Sequence, residues 1–300
     1  MKVYRMIFCA LLAVWTTSGN AQMREMPIAF EQWLDTPGMR HATVAVEVVD
    51  LDSGRTCYAY DEQRFVQPAS LLKLVTTATA LRKLGGDFVI YDSINCAADT
   101  ASVPLPGLEG YNPDWLIEDV NASYIKPLTH IPDVGLSLRE FVKKTNEKSL
   151  NENAESLLYF LSPEHTLQAG LDTVKAYWHS RGLDTDALLM YDGCGLAPND
   201  RITARFISQL LSDMKDDEDF RASLAIAGLT GTVTYFLKSS HLAGRAFLKT
   251  GTTKAVTAYA GYMIGRDDHT YSVVLIVNNS TAPLTNQRKN IEKMFNLLVP

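Results

Sequence analysis

"QPASLLKLVTTATALRKLGG", residues 67–86, decides how this chain is read. Leu71, Leu74, Val75, Ala78 and Leu81 recur at helical spacing and form one apolar stripe, which predicts an amphipathic helix. Pro68 precedes it, and Gly85 and Gly86 follow as a stop. Lys73 is the anomaly. It falls in the first turn, where the helix dipole disfavours a positive charge. It also lies three residues after Ser70, so the two side chains share a face. A serine nucleophile needs a base, and lysine can be one only where burial and nearby positive charge lower its pKa. For an S-x-x-K taken alone, a lysine stem lying on apolar surface with its head in water is the plainer explanation.

Two further segments change that balance. "KSLNENAESLL" places Ser149-Leu150-Asn151, an S-x-N, at the start of a helical pattern. "FLKTGTT" places Lys249-Thr250-Gly251, followed by Thr252, at the end of a β-rich run. S-x-x-K, S-x-N and K-T-G in this order form the set used by penicillin-binding proteins and serine β-lactamases. Each short motif is common by chance, whereas the ordered set in fitting structural contexts is not.

Around the motifs, "ATVAVEVVDLDSGRTCYAY" (42–60) reads as two strands joined by a turn at Asp52-Ser53-Gly54. A further strand is expected over 87–96 and a loop over 99–135. Ser137 and Glu140 make an S-x-x-E capping box that opens a helix, with Leu138, Phe141, Val142 and Thr145 on its inner face. Helical patterns follow at about 152–161, 164–181, 203–215 and 219–238. Three β-rich runs, "GRAFLKTG", "TAYAGYMIGR" and "YSVVLIVNN", precede a last amphipathic helix carrying Ile291, Met294, Phe295 and Leu298. Strands, helices, strands and helix in that order imply one sheet built from both ends of the chain, with a mostly helical region inserted.

The first residues resemble a secretory leader. Lys2 and Arg5 are followed by an apolar run from Met6 to Trp15, too short to span a bilayer. Gly19 and Ala21 suggest cleavage after Ala21, giving a leader over 1–21. Cys9 lacks the residues of a lipoprotein signal. No later segment reads as a transmembrane helix. Export permits disulfides; Cys57 and Cys96 flank the opening helix and either pair or remain separate buried thiols. The net charge of −6 and the lack of a basic patch argue against a nucleic-acid partner. With 46% hydrophobic residues in 300, the chain can bury a full core.

The ordered motifs, with "PASLLKLVTTATALRKLG", "SLNENAESLL", "YDGCGLAPNDRIT" and "AGRAFLKTGTTKAVTAYAGY", resemble the low-molecular-mass class C penicillin-binding proteins, which are D-alanyl-D-alanine carboxypeptidases and endopeptidases. The likeness runs from about Thr43 to Asn279. It implies an α+β penicillin-binding-protein/serine β-lactamase-like fold, an antiparallel sheet flanked by helices. It also implies a single transpeptidase-like unit over 22–300, with an α/β part at about 22–98 and 200–300 and a mostly helical part at about 99–199. Family members carry long domains between the first two motifs. Only about eighty residues separate Ser70 from Ser149 here, so this is a truncated form. Leu150 replaces the usual Asp of the second motif. Cys194 stands where serine is usual, either as a reactive thiol or, more simply, as a small packed residue.

The resemblance implies roles. Ser70 attacks the carbonyl of the penultimate D-alanine, Lys73 is the base, and the Ser70 and Thr252 amides form an oxyanion hole worth roughly 3 kcal/mol per donor. Ser149 and Lys249 pass a proton to the leaving amine, and Asn151 holds Lys73 and the substrate amide. Lys249, Thr250, Gly251 and Thr252 receive the terminal carboxylate. Peptidoglycan stem peptides would be substrates and β-lactams inhibitors, in the periplasm or another exported location, without metal or organic cofactor. Two other readings stay open. A class A-like serine β-lactamase shares the motifs, but no E-x-x-L-N pattern lies between Asn151 and Lys249. A non-catalytic peptidoglycan-binding protein would not need Ser70, Lys73, Ser149 and Lys249 together. The catalytic reading requires Ser70, Ser149 and Lys249 to meet in one cleft.

Overall fold

The computed structural model describes residues 23–90 and 133–300. The expected leader, Cys96 and nearly all of the 99–135 loop lie outside these residues. Helix α1 (Ile28–Leu34) precedes β1 (Thr43–Asp50) and β2 (Arg55–Tyr60). A 3-10 turn (Ala69–Leu71) leads into α2 (Leu72–Leu84). Then come α3 (Leu138–Lys148), α4 (Asn151–Phe160) and α5 (Leu167–Ser180). The short strands β3 (Leu188–Leu189) and β4 (Arg201–Ile202) pair with each other ahead of α6 (Ala204–Asp213), α7 (Glu218–Ala222) and β5 (Ala225–Ile226). β6 (Ala246–Thr252), β7 (Val256–Ile264), β8 (Thr270–Asn278) and α8 (Leu284–Leu298) complete the chain.

The main sheet is antiparallel in the order β2-β1-β8-β7-β6-β5. Its two chain ends are joined by the β1–β8 pair, which runs in register from Thr43 opposite Asn278 to Asp50 opposite Tyr271. Successive side chains of a strand point to opposite faces. Val273, Leu275 and Val277 accordingly pack with α1 and α8, while Val274 and Ile276 pack with the large helical layer. Both faces are covered, which is why β8 is a nearly continuous apolar run rather than an alternating one.

Helix α2 differs from the expected amphipathic helix. Every residue from Leu71 to Leu81 is buried, because α3, α4 and α5 pack around it over the sheet. Its polar residues find partners inside the core. Thr77 and Thr79 hydroxyls donate to the carbonyls of Lys73 and Val75, Thr76 donates to Gly193 O, and the Trp178 indole donates to Thr79 Oγ. A helix so paired can be enclosed on all sides. Gly85 closes it at φ 79°, its N–H reaching Leu81 O.

The capping box forms, with the Ser137 amide and hydroxyl both donating to Glu140 Oε2 at 3.1 and 2.6 Å. Of the strand expected over 87–96, only 87–90 lie among the described residues, and they hold a single bridge, Val89 to Ser137. The helix expected over 219–238 stops at Ala222, because Ala225 and Ile226 pair with Leu248 and Phe247 as the edge of the sheet. Tertiary pairing overrides the local helical period there. Cys57 is a buried, unbridged thiol. Among the described residues no helix is long and apolar enough to cross a membrane.

On α8, Ile291, Met294, Phe295 and Leu298 are all buried, and Phe295 meets Phe236 and Tyr259 edge-on at 6.2 Å. Phe295→Ala is expected to cost about 3–5 kcal/mol through lost burial and the cavity left behind, read as a lower urea midpoint.

Candidate active site

Ser70 sits in the 3-10 turn that opens α2. Its neighbour Ala69 has φ 45°, a conformation a non-glycine residue keeps only when its surroundings enforce it. Two glycines supply that enforcement. A Cβ on Gly195, itself at φ 85°, would run into the Ala69 carbonyl, and one on Gly251 would lie 2.7 Å from Pro68 O. The loop after β3 and the strand β6 therefore press on the serine turn from two sides.

Lys73 is fully buried. Its Nζ lies 2.9 Å from Ser70 Oγ, 2.8 Å from Asn151 Oδ1 and 2.9 Å from the Cys194 carbonyl. Burial lowers its pKa, opposed in part by the acidic groups Cys194, Glu155 and Asp192. An ammonium can donate to all three acceptors. A neutral amine has two N–H bonds and one lone pair. With Asn151 and the Cys194 carbonyl taking the two N–H bonds, the lone pair is left for the Ser70 hydroxyl.

Ser149 lies between α3 and α4 in the left-handed region (φ 59°, ψ 45°). It accepts from Lys249 Nζ at 2.9 Å, and Lys249 also donates to Thr250 O at 2.7 Å. Lys249 is fully buried on β6, and burial followed by the nearby Lys73 holds its pKa well below the ordinary lysine value. Thus Lys73 ties Ser70 to Asn151, Lys249 ties Ser149 to β6, and the step Ser149-Leu150-Asn151 joins the two halves. Thr250 Oγ bonds to Thr232 Oγ at 2.9 Å, and Thr252 is exposed at the end of β6 beyond the buried Gly251.

Four participants were not identified from the sequence: the Cys194 carbonyl, Asp192, Glu155 and Thr232. The signal for the first three lay in "YDGCGL" and "NENAE", but their bonding is long-range. Asp192 accepts the amides of Cys194 and Gly195 on Oδ1 and of Leu196 and Ala197 on Oδ2. Both Glu155 oxygens accept the Gly193 amide, at 3.0 and 3.1 Å. The Cys194 side chain is the small packed residue expected. It is buried, its thiol donates weakly to Asp192 at 3.5 Å, and burial with Glu155 and Asp192 pushes its pKa far up. Glu155, Asp192 and Cys194 bring ligand-type atoms within 4.8 Å of one another. The carboxylate oxygens are already engaged by backbone amides, so this donor set does not suit a metal.

Lys249→Met removes a buried ammonium whose folded-state pKa is depressed. Its penalty is fully present below that depressed pKa and fades as pH rises to about 10.4, the unfolded lysine value. The variant is therefore expected to be more stable than the parent at neutral pH, by about 1–3 kcal/mol. That gain should shrink toward pH 10 in urea unfolding series.

Residues 28–100 and 135–298 match the family described as D-Ala-D-Ala carboxypeptidase 3 (S13). A D-alanyl-D-alanine carboxypeptidase of Actinomadura sp. (strain R39) is 29% identical over 194 residues, 60% of this chain and 34% of that protein. The chain thus spans about a third of the length of this curated relative. Among solved structures, penicillin binding protein 4 of Haemophilus influenzae superposes with TM-score 0.68 at 17% identity, over 91% of this chain and 98% of that one. A class A β-lactamase of Bacteroides cellulosilyticus superposes with TM-score 0.61 at 19% identity, over 92% and 98%. The architecture is the one these two groups share, an antiparallel sheet flanked by helices. By the match over most of its length, the chain belongs to the D-Ala-D-Ala carboxypeptidase 3 (S13) family.

Proposed function

We propose that this chain is a serine-type D-alanyl-D-alanine carboxypeptidase that acts on peptidoglycan stem peptides through an acyl-enzyme on Ser70, and that it also cleaves D-alanyl cross-links as an endopeptidase. The observation that carries this reading is the position of Lys73 Nζ, with Ser70 Oγ, Asn151 Oδ1 and the Cys194 carbonyl at 2.8–2.9 Å. A neutral Lys73 takes the Ser70 proton as the hydroxyl oxygen attacks the carbonyl of the penultimate D-alanine. The Ser70 and Thr252 amides stabilise the oxyanion. Ser149 and Lys249 deliver a proton to the departing amine along their 2.9 Å hydrogen bond. Thr250, oriented by Thr232, joins Gly251, Thr252 and Lys249 in receiving the terminal carboxylate. An arriving carboxylate would favour the charged form of Lys249 and so ready it as a proton donor. Water then releases the acyl group.

The chain works as a single transpeptidase-like unit over 22–300, with its α/β part at about 22–98 and 200–300 and its mostly helical part at about 99–199. The leader-like first residues support export to the periplasm or an equivalent compartment. β-Lactams act as substrate mimics, since their ring amide takes the place of the scissile bond.

Mixed with excess penicillin, the protein is expected to gain the mass of one drug molecule, and Ser70→Ala to gain none. The adduct should last minutes or longer, a deacylation barrier of about 20 kcal/mol or more, because the tethered leaving group obstructs water. Muropeptides ending in D-alanyl-D-alanine should lose one alanine. Rapid drug turnover without an adduct would favour a β-lactamase, and inertness toward both would leave a binding protein.

Lys73→Ala should stay folded and lose acylation. Lys73→Arg should lose it too, because a guanidinium does not deprotonate near neutral pH. Acylation by a folded Lys73→Ala protein would show that the lysine is structural.

A further inference from the structure

Glu155 lies on α4, one turn after Asn151, and takes no part in the scheme above. It is half-buried, and both its oxygens are spent on one backbone amide, Gly193 N–H. That amide belongs to the two-residue stretch that presents the Cys194 carbonyl to Lys73. The stretch is held at every polar atom. Thr76 of α2 donates to Gly193 O at 2.7 Å, Asp192 takes the Cys194 and Gly195 amides at 3.1 and 2.6 Å, and Lys73 donates to Cys194 O at 2.9 Å. Glu155 is the one contributor to this stretch that comes from α4, the helix that also brings Asn151. It therefore ties both non-serine acceptors of Lys73 to one element.

We propose that Glu155 is a positioning residue for Lys73, holding the Cys194 carbonyl in place through the Gly193 amide and, by its own negative charge, favouring the ammonium form of Lys73. The part concerning base function rests on the acyl-enzyme reading above, whereas the effect on Lys73 does not.

The groups facing Glu155 are Lys73 from α2 and Asp192, Cys194 and Asp200 from the loop between β3 and β4. Lys73 in turn acts as a nearby cation on Lys249 of β6. Burial, followed by the Asp192 charge, raises the Glu155 pKa to about 7. The same two causes raise the Asp200 pKa to about 10. Glu155 thus changes charge in the working range. As pH falls and Glu155 takes up a proton, Lys73 loses the charge that stabilises its ammonium, so its own protonation is resisted. As pH rises, the opposite holds. The two protons therefore bind anticooperatively. A protonated Glu155 still offers an oxygen to Gly193 N–H, so the loop need not move when the charge changes.

Glu155→Gln keeps an acceptor for Gly193 and removes the charge. Lys73 is followed by NMR of 13Cε-labelled lysine in the parent and the variant, a readout that needs no turnover, alongside the pH dependence of penicillin acylation. In Glu155→Gln the Lys73 titration is expected to move down by about one pH unit or more. The acid limb of acylation should move with it, with the plateau rate within about threefold of the parent. Glu155→Ala, which also loses the acceptor, should lower the plateau tenfold or more. Unmoved titration and acid limb in a folded Glu155→Gln protein would overturn the proposal. If that variant does not fold, Glu155→Ala decides: an unmoved Lys73 titration with a plateau rate within about threefold of the parent overturns the proposal. A Lys73 titration that shifts in a protein inert to penicillin would sustain the electrostatic coupling and remove the acyl-enzyme reading instead.

Discussion

A buried amino group with three fixed acceptors is the constraint around which this molecule is organised. Removing an ammonium from water costs several kcal/mol, and hydrogen bonds to a charged group return about 1.5–3 kcal/mol each. Lys73 is therefore tolerable in the core only if Ser70, Asn151 and the Cys194 carbonyl all stay within reach. These acceptors come from the 3-10 turn before α2, the first residue of α4 and the loop between β3 and β4. No two of these segments are adjacent in the chain. Holding them together requires the serine turn to be wedged by Gly195 and Gly251, the loop to be cross-linked by Asp192, and α3 and α4 to meet at the left-handed Ser149.

The same arrangement accounts for the lowered proton affinity of both lysines. Each is buried, and Lys249 also feels the charge of Lys73. For Lys73 the opposing influence comes from behind the loop, where Glu155 and Asp192 lie close. Their charges keep the amine from losing its proton too readily, while burial keeps it from holding the proton too tightly. Among the described residues no acidic group acts on Lys249 in this way.

The sheet and the helical layer serve this geometry. Strands from the two ends of the chain lock together through β1 and β8, and both faces of the sheet are covered. α2 is enclosed so completely that its threonines bond inward, Thr76 to Gly193 O in the loop that carries the Cys194 carbonyl. The first helical turn is thus anchored by a core that reaches well beyond the site. Among the described residues, the elements that enclose α2 lie after residue 137 or in the sheet.

Sequence by itself determined the local elements and singled out the side chains that gather at the site. β1, β2, β6, β7, β8, α8 and the capped start of α3 followed from periodicity and turn residues. Ser70, Lys73, Ser149, Asn151 and Lys249 followed from spacing within three short motifs. These features are local, since a helix repeat, a capping box or an S-x-x-K spans only a few residues. What tertiary structure alone decided is long-range. The strand β5 replaced a helical pattern because β6 offered it a pairing edge, and α2 was enclosed although it carries a one-sided stripe. The Cys194 carbonyl became a ligand of Lys73 although no side-chain pattern marks a backbone oxygen. Glu155 and Asp192 became its supports because their partners are amides distributed along a loop. A sequence records which side chains are present, but the choice of backbone atom each one meets is made by packing between segments far apart in the chain.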